Sequence, residues 1–428
     1  LNNNPSKKPI SLFFTQSSVI DSVSVNQEED VKLATGNGRY ETIQLPDSKD
    51  RDQNYWETHR LEELNPREKL ITATIDSVSQ IKAIKFADNL TRMSMTGYYD
   101  LGKFEFGPYA STINTNKVEG LHLFAGVRTS SEISTRYMIW GGLGYGFRNK
   151  KINGIAGFGY KFPTINRQLV KVSYDDKIVR SGENEKILFL YENALSPTEN
   201  NLISQIFKRD ELDELFREQK MAASYEYEWH PGLMNKISAN YTRHYSPEFY
   251  PFLRAGLPVD HVSALDVMVD TRFSWQEKVI DDKFLRVYMA TDYPIIHFAM
   301  GGGKVFYSGK ENYYGKVLTT IEQYLKIGQT GFNYAIEGGM YFGKLPYTML
   351  DIPRGNETQG LFSYDFNMLN YMEYVHDKYL HAYLEYHLNG FVFNRLPLLK
   401  RIGLREVLSA KGMIGSLNDK HQQIVEFP

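Results

Sequence analysis

The chain contains no cysteine. That excludes a disulfide scaffold, a zinc finger and thiol catalysis. It also lacks an excess of either charge: 49 Lys and Arg face 51 Asp and Glu, for a net charge of −2. Nucleic-acid binders usually carry a basic surplus, so no nucleic-acid partner is expected. No stretch approaches the ~18 consecutive apolar residues that a membrane helix needs. The best runs, Ile187–Tyr191 and Tyr293–Met300, are short, and His297 interrupts the second. No secretory signal is visible either. The chain opens on Leu1-Asn2-Asn3-Asn4-Pro5, which reads as an internal or processed start. It stops at Val425-Glu426-Phe427-Pro428, just after a turn-like Ser416–Lys420, so further sequence is expected at both ends.

What is present is aromatic: 30 Tyr and 25 Phe in 428 residues. The length allows two or three ordinary domains or one large β architecture. A mean hydropathy of −0.42 describes a soluble protein at first sight. A membrane β-barrel gives the same average, because its lipid-facing residues occupy only every second position.

Residues 1–92 are polar and charged, with solvated runs at Glu28-Glu29-Asp30 and Asp47–Asp52. Helices are expected over 55–63 and 65–86. Pro66 suits a first helical turn after Asn65, and Leu70, Ile71, Ile75, Val78, Ile81 and Ile84 roughly keep a helical spacing.

From 93 to 428 the texture changes to alternation. Over 220–229, Met221, Ala223, Tyr225, Tyr227 and Trp229 share one face, against Lys220, Ser224, Glu226 and Glu228. Likewise Leu265, Val267, Val269 and Phe273 oppose Asp266, Asp270 and Arg272. Leu380, Ala382, Leu384 and Tyr386 oppose His381, Glu385 and His387. Such segments number about fourteen, near 119–129, 135–147, 151–161, 168–174, 186–191, 219–230, 234–244, 262–275, 293–300, 312–325, 330–342, 365–375, 378–389 and 404–414. Many are about 10–13 residues long, near the ~9–11 that cross a bilayer at a tilt. Tyr227, Trp229, Tyr313, Tyr314, Tyr374 and Tyr379 fall near strand ends, as in aromatic girdles. Short connections (148–150, 231–233, 328–331, 375–378) alternate with long ones (192–217, 246–261, 343–364, 390–403), with 276–292 as the exception. A helix carrying Leu202, Ile206, Leu212 and Phe216 is expected within 192–217. The expectation is an all-β, transmembrane antiparallel barrel following a partly helical periplasmic segment.

Several motifs sharpen this. They are Asp52-Gln53-Asn54-Tyr55-Trp56, Leu64–Glu68, Gly97–Tyr109, Asn116–Leu121, Leu345-Pro346-Tyr347, Gly355–Thr358, His387–Phe391, Pro397–Lys400 and Leu404–Val407. Together they resemble Bacteroidetes outer-membrane proteins of unknown function coupled to a carboxypeptidase-regulatory-like domain. The resemblance covers roughly 45–415 and implies an outer-membrane barrel but no reaction. It also implies a small β-sandwich before this region and two more strands after Lys420, about sixteen in all. The segments Asn116–Val127 and Gly343–Tyr364 further resemble parts of BamA/TamA-type assembly barrels. That likeness implies an inward loop between strands eleven and twelve, with Arg354-Gly355 at its core. Asn356 departs from the Phe of that pattern. Arg354 would then pair with Glu373 or Glu385 through a guanidinium–carboxylate fork.

No catalytic set is apparent. His381, Glu385 and His387 stand at i, i+4 and i+6, but a polar barrel interior accounts for them better than a metal site. Glu226, Glu228, Asp266, Asp270 and Arg272 read the same way. The glycine runs lack a phosphate-loop ending. No cofactor or metal is expected. The sequence therefore points to a non-enzymatic outer-membrane barrel, a subunit or scaffold in envelope biogenesis or transport. Its expected partners are outer-membrane lipid and other outer-membrane or periplasmic proteins. A passive or gated solute channel is the alternative.

Overall fold

A computed structural model describes residues 53–60, 64–79, 81–164, 166–180, 215–282, 284–289, 291–355 and 363–427. The chain divides into two compact units, Leu1–Ile81 and Lys82–Pro428.

The first unit holds helices α1 (Gln53–His59) and α2 (Pro66–Ser79). The start of α2 is written in Asn65-Pro66-Arg67-Glu68. Asn65 Oδ1 accepts the Glu68 N–H at 2.9 Å, and Glu68 Oε2 accepts the Asn65 N–H at 2.8 Å. This is a reciprocal capping box, with Pro66 where no intrahelical N–H is needed. The single helix expected over 65–86 is therefore two. The second, α3 (Lys82–Thr96), opens the other unit and ends at Gly97, whose φ of +80° suits a residue without Cβ.

After α3 come β1 (Tyr99–Asp100), β2 (Phe104–Phe106) and β3 (Ile113–Asn116). Both β2 and β3 pair with β4 (Gly120–Thr129), so 104–116 acts as one interrupted strand along its edge. The long strands continue with β5 (Tyr137–Gly146), β6 (Lys151–Lys161), β7 (Gln168–Arg180), β8 (Leu215–His230) and β9 (Leu233–Tyr245). A two-stranded ribbon, β10 (Leu253–Arg254) with β11 (Leu257–Pro258), precedes β12 (His261–Ser274). A second ribbon, β13 (Val279–Asp282) with β14 (Leu285–Tyr288), precedes β15 (Ile295–Tyr307). Then follow β16 (Lys310–Ile327), β17 (Thr330–Gly343), β18 (Lys378–His387), a short helix α4 (Pro397–Ile402) and β19 (Val407–Ser416).

One antiparallel sheet of 15 strands results, and from β4 onward neighbours in the sheet follow chain order. Among the described residues the ladder is open: β1 and β19 stand at its two ends and do not pair. The barrel expected from sequence thus appears as one large antiparallel sheet without hydrogen-bonded closure.

The strands are inside out. On β12 the apolar Leu265, Val267 and Val269 are exposed, while Asp266 and Arg272 are buried. On β8, Met221, Tyr225 and Trp229 are exposed, while Glu218, Glu226 and Glu228 are buried. The same reversal holds on β4, where Leu121, Leu123 and Val127 face out and His122 is buried. A strand sends successive side chains to opposite faces, so each strand builds one greasy and one polar surface.

Several sequence expectations are corrected. Residues 365–375 form turns, not a strand, although Phe366 and Asn367 keep an alternating look. Losing that strand changes which end each later connection occupies. One end of the sheet, called upper below, carries 246–260 and 344–377 but also the tight turn at Ser308-Gly309. The lower end mixes the tight turns at 231–232 and 328–329 with the long 275–294 and 388–406. Short and long connections therefore do not segregate by end. The segment 276–292 builds its own ribbon rather than extending its neighbours. The strand expected at 186–191 and most of the helix at 192–217 lie outside the described residues. Phe216, assigned to that helix, is a buried residue of β8.

Candidate functional site

The chemistry-bearing residues gather on the buried face of the sheet, and the described parts of the loop between β17 and β18, 344–355 and 363–377, lie against them. Leu345, Tyr347, Leu350 and Ile352 from this segment pack with Phe252 and Val259 of 246–260. They also meet Val305, Tyr341 and Tyr379 of the wall and Ile424 and Val425 after β19. His244 of β9 meets Thr348, Nδ1 to Oγ1, at 2.8 Å. The Arg180 guanidinium of β7 sits 3.2 Å above the Tyr371 ring. β7 and β17 are about six strand spacings apart, roughly 29 Å in a flat sheet. His376, only five residues and at most ~18 Å of chain beyond Tyr371, packs on Gly415 of β19, about eight strand spacings or ~38 Å from β7 in a flat sheet, so the sheet curls around the segment.

The charges beneath are matched by opposite charges. Arg272 forms a fork on Glu277 at 2.5 and 2.7 Å and lies over Tyr288 at 4.1 Å. Arg286 forks on Glu228 at 2.7 and 3.0 Å. Asp266 accepts from Asn240 at 2.8 Å and Tyr314 at 2.6 Å, with Lys316 at 3.8 Å. Glu226 lies between Arg167 at 3.6 Å and Lys171 at 3.8 Å. Asp270 is half-buried, 3.8 Å from His297. A buried carboxylate is costly unless a cation and hydrogen bonds compensate it. The ribbon β13–β14 supplies one such cation, Arg286, so it belongs to the inner face. A cleft between Arg180, Glu218, Lys220, Asp266 and Lys316 is closed over by Thr348 and Met349. Its lining mixes both signs and holds a hydroxyl–imidazole–carboxylate chain, Thr348 Oγ1 to His244 Nδ1 at 2.8 Å and His244 Nε2 to Glu218 Oε2 at 3.2 Å.

Of the expected loop lock, Arg354 is half-buried and its carbonyl accepts the Phe366 N–H at 2.8 Å, while Gly355 bridges Phe366. Glu373 is exposed in a turn and accepts from the Asn370 N–H at 3.1 Å, so its assignment to a strand face was mistaken. Glu385 is on β18 with His387, 3.5 Å away. The segment lies between the tenth and eleventh long strands, counting from β4.

His381 does not work with Glu385 and His387. It is fully buried and instead meets Asp351 and His376, brought in by the inward segment. These two residues carry no local signal: Asp351 is a lone polar residue between Leu350 and Ile352, and His376 opens an ordinary polar run, His376-Asp377-Lys378. The sequence also left Glu406 unmarked. Its carboxylate accepts the backbone N–H groups of Gly390 (2.7 Å), Val392 (2.9 Å) and Phe393 and so fastens the turn before α4. Burial opposes ionisation there, but the three N–H donors outweigh it and hold the carboxyl below its usual range.

Fold and site together define a class: a large curled antiparallel sheet with an apolar outer face and a charged inner face filled by its own loops. Residues 90–425 match the C-terminal domain of a family of unknown function (DUF5686), and the chain belongs to that family. A comparison with curated proteins found no match.

Proposed function

We propose that this chain is a Gram-negative outer-membrane β-barrel without catalytic activity, acting as a subunit or scaffold in outer-membrane protein biogenesis or transport. The observation that carries this reading is the reversal of faces. Apolar side chains are exposed and charged ones buried along the same strands. Water would oppose that arrangement, and lipid outside favours it. Exposed aromatic residues at the lower strand ends, Tyr137, Trp229, Trp275 and Tyr293, suit a lipid–water boundary. The strands, long enough to cross at a tilt, add support. The N-terminal segment is assigned to the periplasm.

The described parts of the inward segment, 344–355 and 363–377, favour a scaffold over an open channel, because they cover the upper end of the inner face with an apolar knot. The test is membrane fractionation followed by planar-bilayer recording of the purified protein. Outer-membrane location, heat-shifted gel mobility and no steady conductance are expected. Co-purifying outer-membrane proteins, with lowered levels after depletion, would identify the scaffold. A monomer soluble without detergent would overturn the barrel, and a steady open conductance would favour the channel.

A further inference from the structure

We propose that Asp351, His376 and His381 form a binding site for a divalent first-row transition metal, with zinc the best-matched ion. The ion would tie the inward segment to strand β18. One ligand atom from each residue falls within a cluster no wider than 4.8 Å. Asp351 Oδ2 lies 3.1 Å from His376 Nδ1 and 3.3 Å from His381 Nε2. Zinc bonds of about 2.0–2.2 Å to nitrogen and oxygen give a tetrahedron with edges of about 3.3–3.6 Å. Two observed separations already approach that edge. Imidazole and carboxylate donors suit zinc and its neighbours rather than calcium or magnesium.

Burial points the same way. His381 is 0 % exposed, Asp351 2 % and His376 6 %. Neither ring nitrogen of His381 makes a hydrogen bond, although a carboxylate oxygen flanks each. The Nε2 and Asp351 Oδ2 are close but not aligned donor to acceptor. A cation beside both would use the two lone pairs at once. Buried polar nitrogens are rarely left unbonded without such a reason.

The surroundings fit a metal-bound imidazole. On the far side of the His381 ring, Glu337 Oε2 lies 3.7 Å from Nδ1. Ligating histidines commonly turn their second N–H toward a carboxylate, which fixes the ring. Tyr379 in turn donates to Glu337 Oε1 at 3.3 Å. His376 occupies space that only glycine leaves on β19: a Cβ at Gly415 would fall 2.4 Å from its Cδ2. Backbone bonds hold the two loop ligands together, Asp351 N–H to His376 O at 3.1 Å and His376 N–H to Asp351 O at 2.8 Å. Two loop ligands preset in this way, plus one on the wall, form a clasp. The competing arrangement is a protonated His381 shared by the two carboxylates, with no metal.

The test uses the full chain in detergent, free of any affinity tag, stripped with a chelator and titrated with Co²⁺ and then Zn²⁺. One equivalent per chain is expected, with the visible absorption of low-symmetry Co²⁺ bleached by Zn²⁺. Asp351→Asn and His376→Ala should each weaken Zn²⁺ binding by more than about 100-fold, and Glu337→Gln by about 10–100-fold. Gly415→Ala should weaken it too, and His387→Ala should leave it unchanged. Circular dichroism checks that each variant keeps its strands. A folded wild-type chain that binds no stoichiometric metal overturns the site and supports the shared proton. So does a folded His376→Ala variant that binds as wild type.

Discussion

The inner face is built in two ways. At its upper end, Phe252, Val305, Tyr341, Leu345, Ile352 and Ile424 form an apolar knot drawn from loops, wall and the segment after β19. Lower down, the same face holds guanidinium–carboxylate forks such as Arg272–Glu277 and Arg286–Glu228. The difference shows where the fold can draw on ordinary hydrophobic burial. The strands spend their apolar residues on the outer face, so their inner positions are polar and are matched by charge. At the upper end the loops bring in the apolar side chains, and they are buried together with a few inward apolar residues of the strands such as Val262, Val305 and Tyr341.

That contrast can be broken at each part, with graded effects. The largest loss is expected from Arg272→Ala, which leaves Glu277 charged and buried. Breaking such a pair costs about 3–5 kcal/mol, read as a lowered denaturant midpoint in detergent. Ile352→Ala opens a cavity in the knot and should cost about 2–5 kcal/mol by the same measurement. It should also leave the lower forks intact, so Arg272→Ala and Ile352→Ala should add when combined. On the outer face, Val267→Arg should cost about 2–4 kcal/mol for folding into lipid if the face lies mid-bilayer. Val267→Arg that inserts without loss would contradict a lipid-facing position.

The smallest effect concerns acidity. His421 is fully buried beyond β19; its Nδ1 accepts the Leu345 N–H at 3.1 Å and its Nε2 faces Asp377 at 3.3 Å. The neutral ring satisfies both contacts. Burial pushes its pKa below the ordinary 6.5, against the pull of Asp377. The unfolded chain therefore binds the proton first. Stability from this contact is complete above about pH 6.5 and declines as the pH falls below it. His421→Gln should flatten that part of the pH–stability curve.

Much of this was legible in the sequence because period-two patterning survives wherever one face is apolar. The alternations at 220–229 and 262–275 became β8 and β12, with Glu226, Glu228, Asp266 and Arg272 on the buried face. The capping box at Asn65 was equally local. What failed was non-local. Residues 365–375 alternate, but Phe366 packs against His381 and Tyr383 from a turn instead of joining the ladder. Asp351 and His376 are 25 residues apart and met only through the bridge that closes their loop. Pattern reading follows neighbours along the chain, and the inward segment is placed by contacts across the sheet. The curl of the sheet is likewise read only from contacts such as Arg180 with Tyr371.

The absence of cysteine makes the central claim directly measurable. Single cysteines introduced one at a time over 264–272 of β12 can be probed in native membranes with a water-soluble and a lipid-soluble thiol reagent. The account predicts a period of two: positions 265, 267 and 269 react only with the lipid-soluble reagent, and 266, 268 and 270 resist it. Equal reaction of 265, 267 and 269 with the water-soluble reagent would contradict a lipid-facing wall.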